Sequence, residues 1–155
     1  MKLAVVLVRG PIMMRKSLVY TLQLLRLYSK NSCIVIDATP SVLGMLHKVK
    51  DFVTWGEITS DVCQELFVRR GRLPGNLVLD DAYLREKLGI SLSEYVAAFH
   101  AGTKTIKDVP GLKGSFRLHP PRKGFERGGI KKQFSQGGVL GYRKDKINEL
   151  LLRMI

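Results

Sequence analysis

Apolar positions in the first sixty residues fall into two kinds of run. Leu3-Ala4-Val5-Val6-Leu7-Val8 is unbroken and rich in branched side chains, the pattern of a strand covered on both faces. Gly10-Pro11 ends it. From about Lys16 to Tyr28 the period becomes helical, with Leu18, Leu22 and Leu25 on one side and Tyr20, Leu24 and Leu27 on the other. A helix apolar on two sides wants two partners, so the sheet is expected under the first stripe and a later part of the chain over the second. Cys33-Ile34-Val35-Ile36 predicts a second strand. Thr39 as cap and Pro40 at the first helical position open a second helix, with Val42, Leu46 and Val49 inward. Residues 52–58 predict a third strand, in which Trp55 is the largest side chain and is assigned to the core.

The middle of the chain predicts short, well-punctuated helices. One runs from Thr59 as cap to Gly71, with Val62, Leu66 and Phe67 inward and Arg69 and Arg70 at the end that favours cations. Arg72-Leu73-Pro74-Gly75 reads as a turn. Asp80 or Asp81 opens a helix that stops at Gly89. Ser91 and Glu94 form a capping box for a helix to about His100, ended by Gly102. Past Pro110 the apolar period disappears until Ile147, Leu150, Leu151 and Met154 return at helical spacing.

Charge changes this picture. The 155 residues carry 26 Lys and Arg against 13 Asp and Glu, a net +13, although the 45% hydrophobic content is that of an ordinary globular domain. A polyanion is the partner such an excess implies, and nucleic acid is the default. The excess is also localised. Lys113 to Lys146 holds ten basic residues against Glu126 and Asp145, a net +8, and eight of the 15 glycines lie between Gly111 and Gly141. A stretch so poor in apolar residues is expected to be mobile alone, as a loop anchored at both ends.

Several classes of function fall away. The opening apolar run is too short for a signal peptide or a spanning helix, and a cytoplasmic protein is expected. Cys33 and Cys63 stand far apart among apolar neighbours, which predicts buried reduced thiols rather than a metal or redox pair. His47, His100 and His119 lie in separate segments without a Cys, Glu or Asp at ligand spacing. The Gly128-Gly129 and Gly137-Gly138 pairs lack the Gly-Lys-Ser/Thr ending of a phosphate-binding loop and do not join a strand to a helix. No catalytic constellation, metal or cofactor is expected.

The basic loop reads instead as a nucleic-acid clamp. Its lysines and arginines would neutralise phosphates and release counterions, and its glycines would let the backbone approach a sugar-phosphate chain. The candidate contacts there are Lys113, Arg117, Arg122, Lys123, Arg127, Lys131, Lys132, Arg143 and Lys144. Phe125, Phe134 and Tyr142 are interleaved with these charges, and either stack on unpaired bases or pack on the protein. A second basic cluster, Arg9, Arg15 and Lys16, flanks the first helix. Lys48, Lys50, Arg69, Arg70 and Arg72 extend the supply.

Three segments then carry a family likeness. Leu3-Ala4-Val5-Val6 with Arg9-Gly10, the run from Thr39 to Leu46, and the run from Val49 to Glu57 resemble the large-subunit ribosomal protein L-thirty of archaea. The tail resembles the eukaryotic relative, L-seven, through residues 127–134, Gly137-Gly138, Gly141-Tyr142-Arg143, residues 147–150 and Arg153-Met154. The likeness covers essentially the whole chain. It implies an α+β fold: a ferredoxin-like β-α-β-α-β core (1–58) with a three-stranded antiparallel sheet and helices on one face. A helical extension (59–110), a basic glycine-rich loop (111–143) and a C-terminal helix (144–155) complete the expected organisation. It also implies a non-catalytic constituent of the cytoplasmic ribosome that binds large-subunit rRNA, near the 5S rRNA, beside other large-subunit proteins. No membrane and no homo-oligomer are expected. The family's RNA contacts map onto Arg9, Arg15 and Lys16 and onto the basic extension, and Phe134 and Tyr142 stand beside them as candidate RNA contacts. Two other readings stand beside it: a free-standing RNA-binding regulator, and an enzyme with a pocket between sheet and helices.

Overall fold

The computed structural model describes all 155 residues. Three long strands, β1 (Lys2–Leu7), β2 (Ser32–Asp37) and β3 (Val53–Glu57), are separated by α1 (Lys16–Leu24) and α2 (Pro40–Lys48). Then come α3 (Ser60–Arg70), α4 (Asp81–Leu88), α5 (Leu92–Ala101), the short strands β4 (Phe116–Arg117) and β5 (Gly141–Tyr142), and α6 (Ile147–Met154). The fold is α+β. Its sheet has the order β4-β2-β1-β3-β5, with β1 central. Val5 of β1 stands opposite Ile34 of β2 and Trp55 of β3, and both pairings are antiparallel. Three antiparallel strands were the expectation, and the sheet has five and is mixed. The basic stretch supplies the difference: β4 adds antiparallel to β2, and β5 adds parallel to β3.

Side chains of β1 alternate between two cores. Leu3, Val5 and Leu7 join Leu22, Leu25, Leu46, Val49 and Trp55 under α1 and α2. Ala4 and Val6 face the other way, into a larger core with Leu66, Phe67, Tyr95, Phe99, Ile147 and Leu150. The two helices of the core, α1 and α2, share one face as the likeness implies, and helices of the extension cover the other. The extension forms a second packing layer, but against the sheet and not over α1. The second stripe of α1 is largely left in water, with Tyr20 62% and Leu24 57% exposed. Leu27 escapes that fate because α1 stops at Leu24. Arg26 takes φ 57°, in the left-handed region, and the reversed chain carries Leu27 into the core beneath.

Thr39 does cap α2: its hydroxyl accepts from the Val42 N–H at 3.3 Å. Thr39→Ala is expected to lose about 1 kcal/mol, read as a lower denaturation midpoint with an unchanged denaturant slope. Ser91 and Glu94 close their capping box as the sequence implies. Both cysteines are free and buried, Cys33 in β2 and Cys63 in α3. Burial pushes the Cys63 thiol up to about 12, so it stays protonated and unreactive.

The glycine-rich stretch folds back on the sheet. Val139 and Leu140 pack against Val8, with Phe125 and Ile130 alongside. The Lys132 carbonyl accepts from the N–H groups of Val139 and Leu140, each at 3.1 Å, and Gly128 N–H donates to the Gly137 carbonyl at 3.0 Å. A Cβ at Gly138 would collide with the Lys132 carbonyl, and one at Gly128 with the backbone of Gly137. These two glycines serve the folding of the loop on itself, not close approach to a sugar-phosphate chain.

Candidate nucleic-acid interface

One end of the sheet gathers most of the candidate cations, and backbone hydrogen bonds fix why. The N–H groups of Val8 and Arg9 both donate to the Phe52 carbonyl, at 3.0 and 3.1 Å. Asn31 N–H donates to Leu7, and Leu118 N–H donates to Asn31, at 2.8 and 2.9 Å. Arg9, the turn before β3, the start of β2 and the residues after β4 thus share one end. The packing of Val139 and Leu140 on Val8 brings the basic loop to the same end.

Arg9 is held rather than free. Its guanidinium lies 4.9 Å from the centre of the Phe52 ring and donates to the Asp51 carbonyl at 3.2 Å. Lys48 and Lys50 are exposed beside it at the end of α2. Arg15 and Lys16 are exposed at the start of α1, whose first turn holds no acid and no side-chain cap. Unsatisfied N–H groups and two cations make that turn electropositive, the condition under which a phosphate is favoured. Arg122, Lys123, Arg127, Lys131 and Lys132 are exposed along the loop, and none forms an ion pair. Arg70, Arg72 and Arg117 converge on one small cleft, and Lys113 sits at its margin with its N–H on the Arg72 carbonyl at 3.0 Å.

Other candidates are placed differently. Arg143 is buried, and its guanidinium is fully engaged: Nε donates to Thr54 Oγ1, Nη1 to Glu126 Oε1 and Nη2 to the Val139 carbonyl, each at 2.9 Å. It is a brace that ties the loop to β3 and not a phosphate contact. Phe134 is half-buried with Arg143 4.7 Å from its ring centre, and Tyr142 donates its hydroxyl to Glu57 at 2.8 Å while leaning on Trp55. Phe134 packs on the protein, whereas Tyr142 leans on it and keeps 44% of its surface exposed. Arg69 is paired with Glu65 at 2.8 Å. Lys144 is exposed, but its carbonyl lies against Gly56, towards the far end of β3.

Glu126 completes the brace. Burial pushes its carboxyl up, but hydrogen bonds and charge from Arg143 and Arg153 outweigh that and hold it below its ordinary value. Sequence alone gives Glu126 no role, although its place as one of two acids among ten cations is the signal by which it could be found. Sequence alone also gives none to Asn76 and His119, which line the arginine cleft. These two are 43 positions apart, and no local pattern joins them.

Comparison with known proteins agrees with this architecture. Residues 3–53 match the family described as ribosomal protein L30p/L7e. The large ribosomal subunit protein uL30 of Methanopyrus kandleri is 47% identical over 148 residues, which span 95% of this chain and 99% of that protein. The chain belongs to the ribosomal protein L30p/L7e family. The uL30 proteins of Methanococcus maripaludis (47% identical, all of both chains) and Nanoarchaeum equitans (44% identical, 98% of this chain and 97% of the relative) extend the likeness. Among these uL30 relatives it therefore reaches the helical extension and the basic loop as well as the first three strands.

Proposed function

We propose that this L30p/L7e chain is a non-catalytic constituent of the large ribosomal subunit in the cytoplasm, where it binds and braces rRNA. The observation that carries the reading is the row Arg122, Lys123, Arg127, Lys131 and Lys132. These five cations are exposed and unpaired on a loop that is itself folded, at the end of the sheet where Arg9 and Lys50 also stand. A folded basic loop loses little chain entropy on meeting RNA, so more of its electrostatic gain appears as affinity. Residues 1–58 act as a ferredoxin-like core built on the three long strands. The segment 59–110 is its second layer, 111–143 the RNA-facing loop and 144–155 the helix that closes the far core. On this reading the chain serves as a single copy, near the 5S rRNA and beside other large-subunit proteins.

Co-sedimentation with purified large ribosomal subunits, at moderate and at high salt, tests it. One copy per subunit, retained at moderate salt and displaced by unlabelled chain, is expected. Recovery in the soluble fraction at moderate salt would favour a free-standing RNA-binding regulator instead.

A further inference from the structure

Beside the basic loop lies a cleft of about 200 Å³ lined by Arg70, Arg72, Asn76, Arg117, Leu118 and His119. Five of these six residues are polar or charged, and none is acidic. The three guanidiniums come from three places: the end of α3, the turn after it, and β4. No Asp or Glu side chain pairs with any of them. Arg70 has one partner, the main-chain oxygen of Ile155, while its Nε is buried without any. Arg72 Nη1 is likewise buried without a partner.

Such an arrangement is costly as it stands. Buried donors left unpaired forfeit roughly the strength of the bond they lack, and converging like charges repel. Burial, then the charges of Arg72 and Arg69, pull the Arg70 guanidinium below its ordinary value, which shows the same strain. An anion in the cleft would offset the like charges and offer the unpaired guanidinium nitrogens an acceptor. The cleft is smaller than the roughly 300–1,000 Å³ of ordinary small-molecule pockets, so a small anion suits it better than a drug-sized ligand. A carboxylate offers two oxygens, matched by one guanidinium fork, whereas three arginines lining one cleft suit the larger oxygen set of a tetrahedral oxyanion.

We infer that this cleft is an oxyanion site that takes a single phosphate group, and that an rRNA backbone phosphate fills it in the assembled particle. The second half of that statement rests on the rRNA-binding reading, and the first does not. The filled site clips the end of α3 to β4, so occupancy stabilises the fold as well as the contact.

The test has two arms, both on the full-length chain. In the first, thermal unfolding is followed while inorganic phosphate replaces chloride at constant ionic strength. The melting temperature is expected to rise saturably, and Arg72→Gln with Arg117→Gln should abolish that rise. A variant neutralised at Lys131 and Lys132, outside the cleft, should keep it. Equal melting in phosphate and chloride, or a rise that survives the Arg72→Gln, Arg117→Gln pair, overturns the site. In the second arm, binding to large-subunit rRNA is measured against salt. The same pair should lower affinity about tenfold or more and flatten the salt slope by roughly 0.7–0.9, one phosphate contact. Phosphate-dependent melting with unchanged rRNA affinity overturns the backbone assignment and makes free phosphate the occupant. Failure of the intact chain to bind rRNA at all, with phosphate-dependent melting retained, sinks the rRNA reading and leaves the oxyanion site standing.

Discussion

Arg143→Ala is expected to cost about 3–5 kcal/mol and to free residues 120–142 from the sheet, because one partner of a buried ion pair is removed and the other stays behind. The side chain is 1% exposed. It joins Thr54 on β3, Glu126 in the loop and the Val139 carbonyl just before β5, so its loss uncouples three segments at once. Glu126 keeps Arg153 at 3.3 Å, which places the cost at the lower end of that range. Lys should not rescue, since an ammonium cannot hold the fork that spans carboxylate, hydroxyl and carbonyl. Equilibrium unfolding measures the loss, and amide exchange at Val139 and Leu140 locates it. A variant within 1 kcal/mol of the parent would show that the brace carries no weight.

The same pair sets an acid limit. The folded Glu126 carboxyl titrates below its ordinary value, held there by Arg143 and Arg153. Its contribution is therefore complete above the ordinary glutamate value of about 4.3 and fades as pH falls through the lower folded value. Lower amide protection, relative to the intrinsic exchange rate at each pH, should appear in the loop over that acid range, and Glu126→Gln should remove the pH dependence along with the stability.

Trp55→Ala is expected to cost a similar 3–5 kcal/mol while leaving rRNA affinity unchanged once measured below the new melting point. Trp55 is 4% exposed in β3, opposite Val5 and in the core under α2. His47 meets its ring edge-on with centroids 6.0 Å apart, and Tyr142 leans on it at 6.3 Å. Truncation leaves a cavity at the junction of β3, α2 and β5, and the neighbours can only partly collapse into it. Native stability with abolished RNA binding would place Trp55 in the interface instead.

Much of the architecture is legible in the sequence because its signals are local. Thr39-Pro40 and Ser91 with Glu94 announce helix starts that capping bonds then form. The continuous run from Leu3 to Val8 announces a strand with both faces covered, and β1 is buried along its whole length. That same run should have placed the extension against the sheet. The second stripe on α1 points elsewhere, but Tyr20 and Leu24 stay in water, and Leu27 lies past the helix end because a left-handed Arg26 is invisible to periodicity. The candidate interface is less legible still. Charge density marks the stretch from Lys113 to Lys146 correctly as basic, but it cannot separate Lys132, exposed to solvent, from Arg143, buried against Glu126. That distinction depends on which residues meet across 17 positions of chain, and the sequence carries no period for it.

Neutralising the loop tests the central claim most directly: the exposed cations at one end of the sheet bind rRNA phosphates. Lys123, Arg127, Lys131 and Lys132 are exposed and outside every ion pair, so changing all four to Gln should leave the melting temperature as it was. The measurement is the slope of log affinity for large-subunit rRNA against log salt. Each lost phosphate contact removes roughly 0.7–0.9 from that slope, so a slope shallower by about 3 is the predicted result. An unchanged slope in a variant that folds normally would contradict the account.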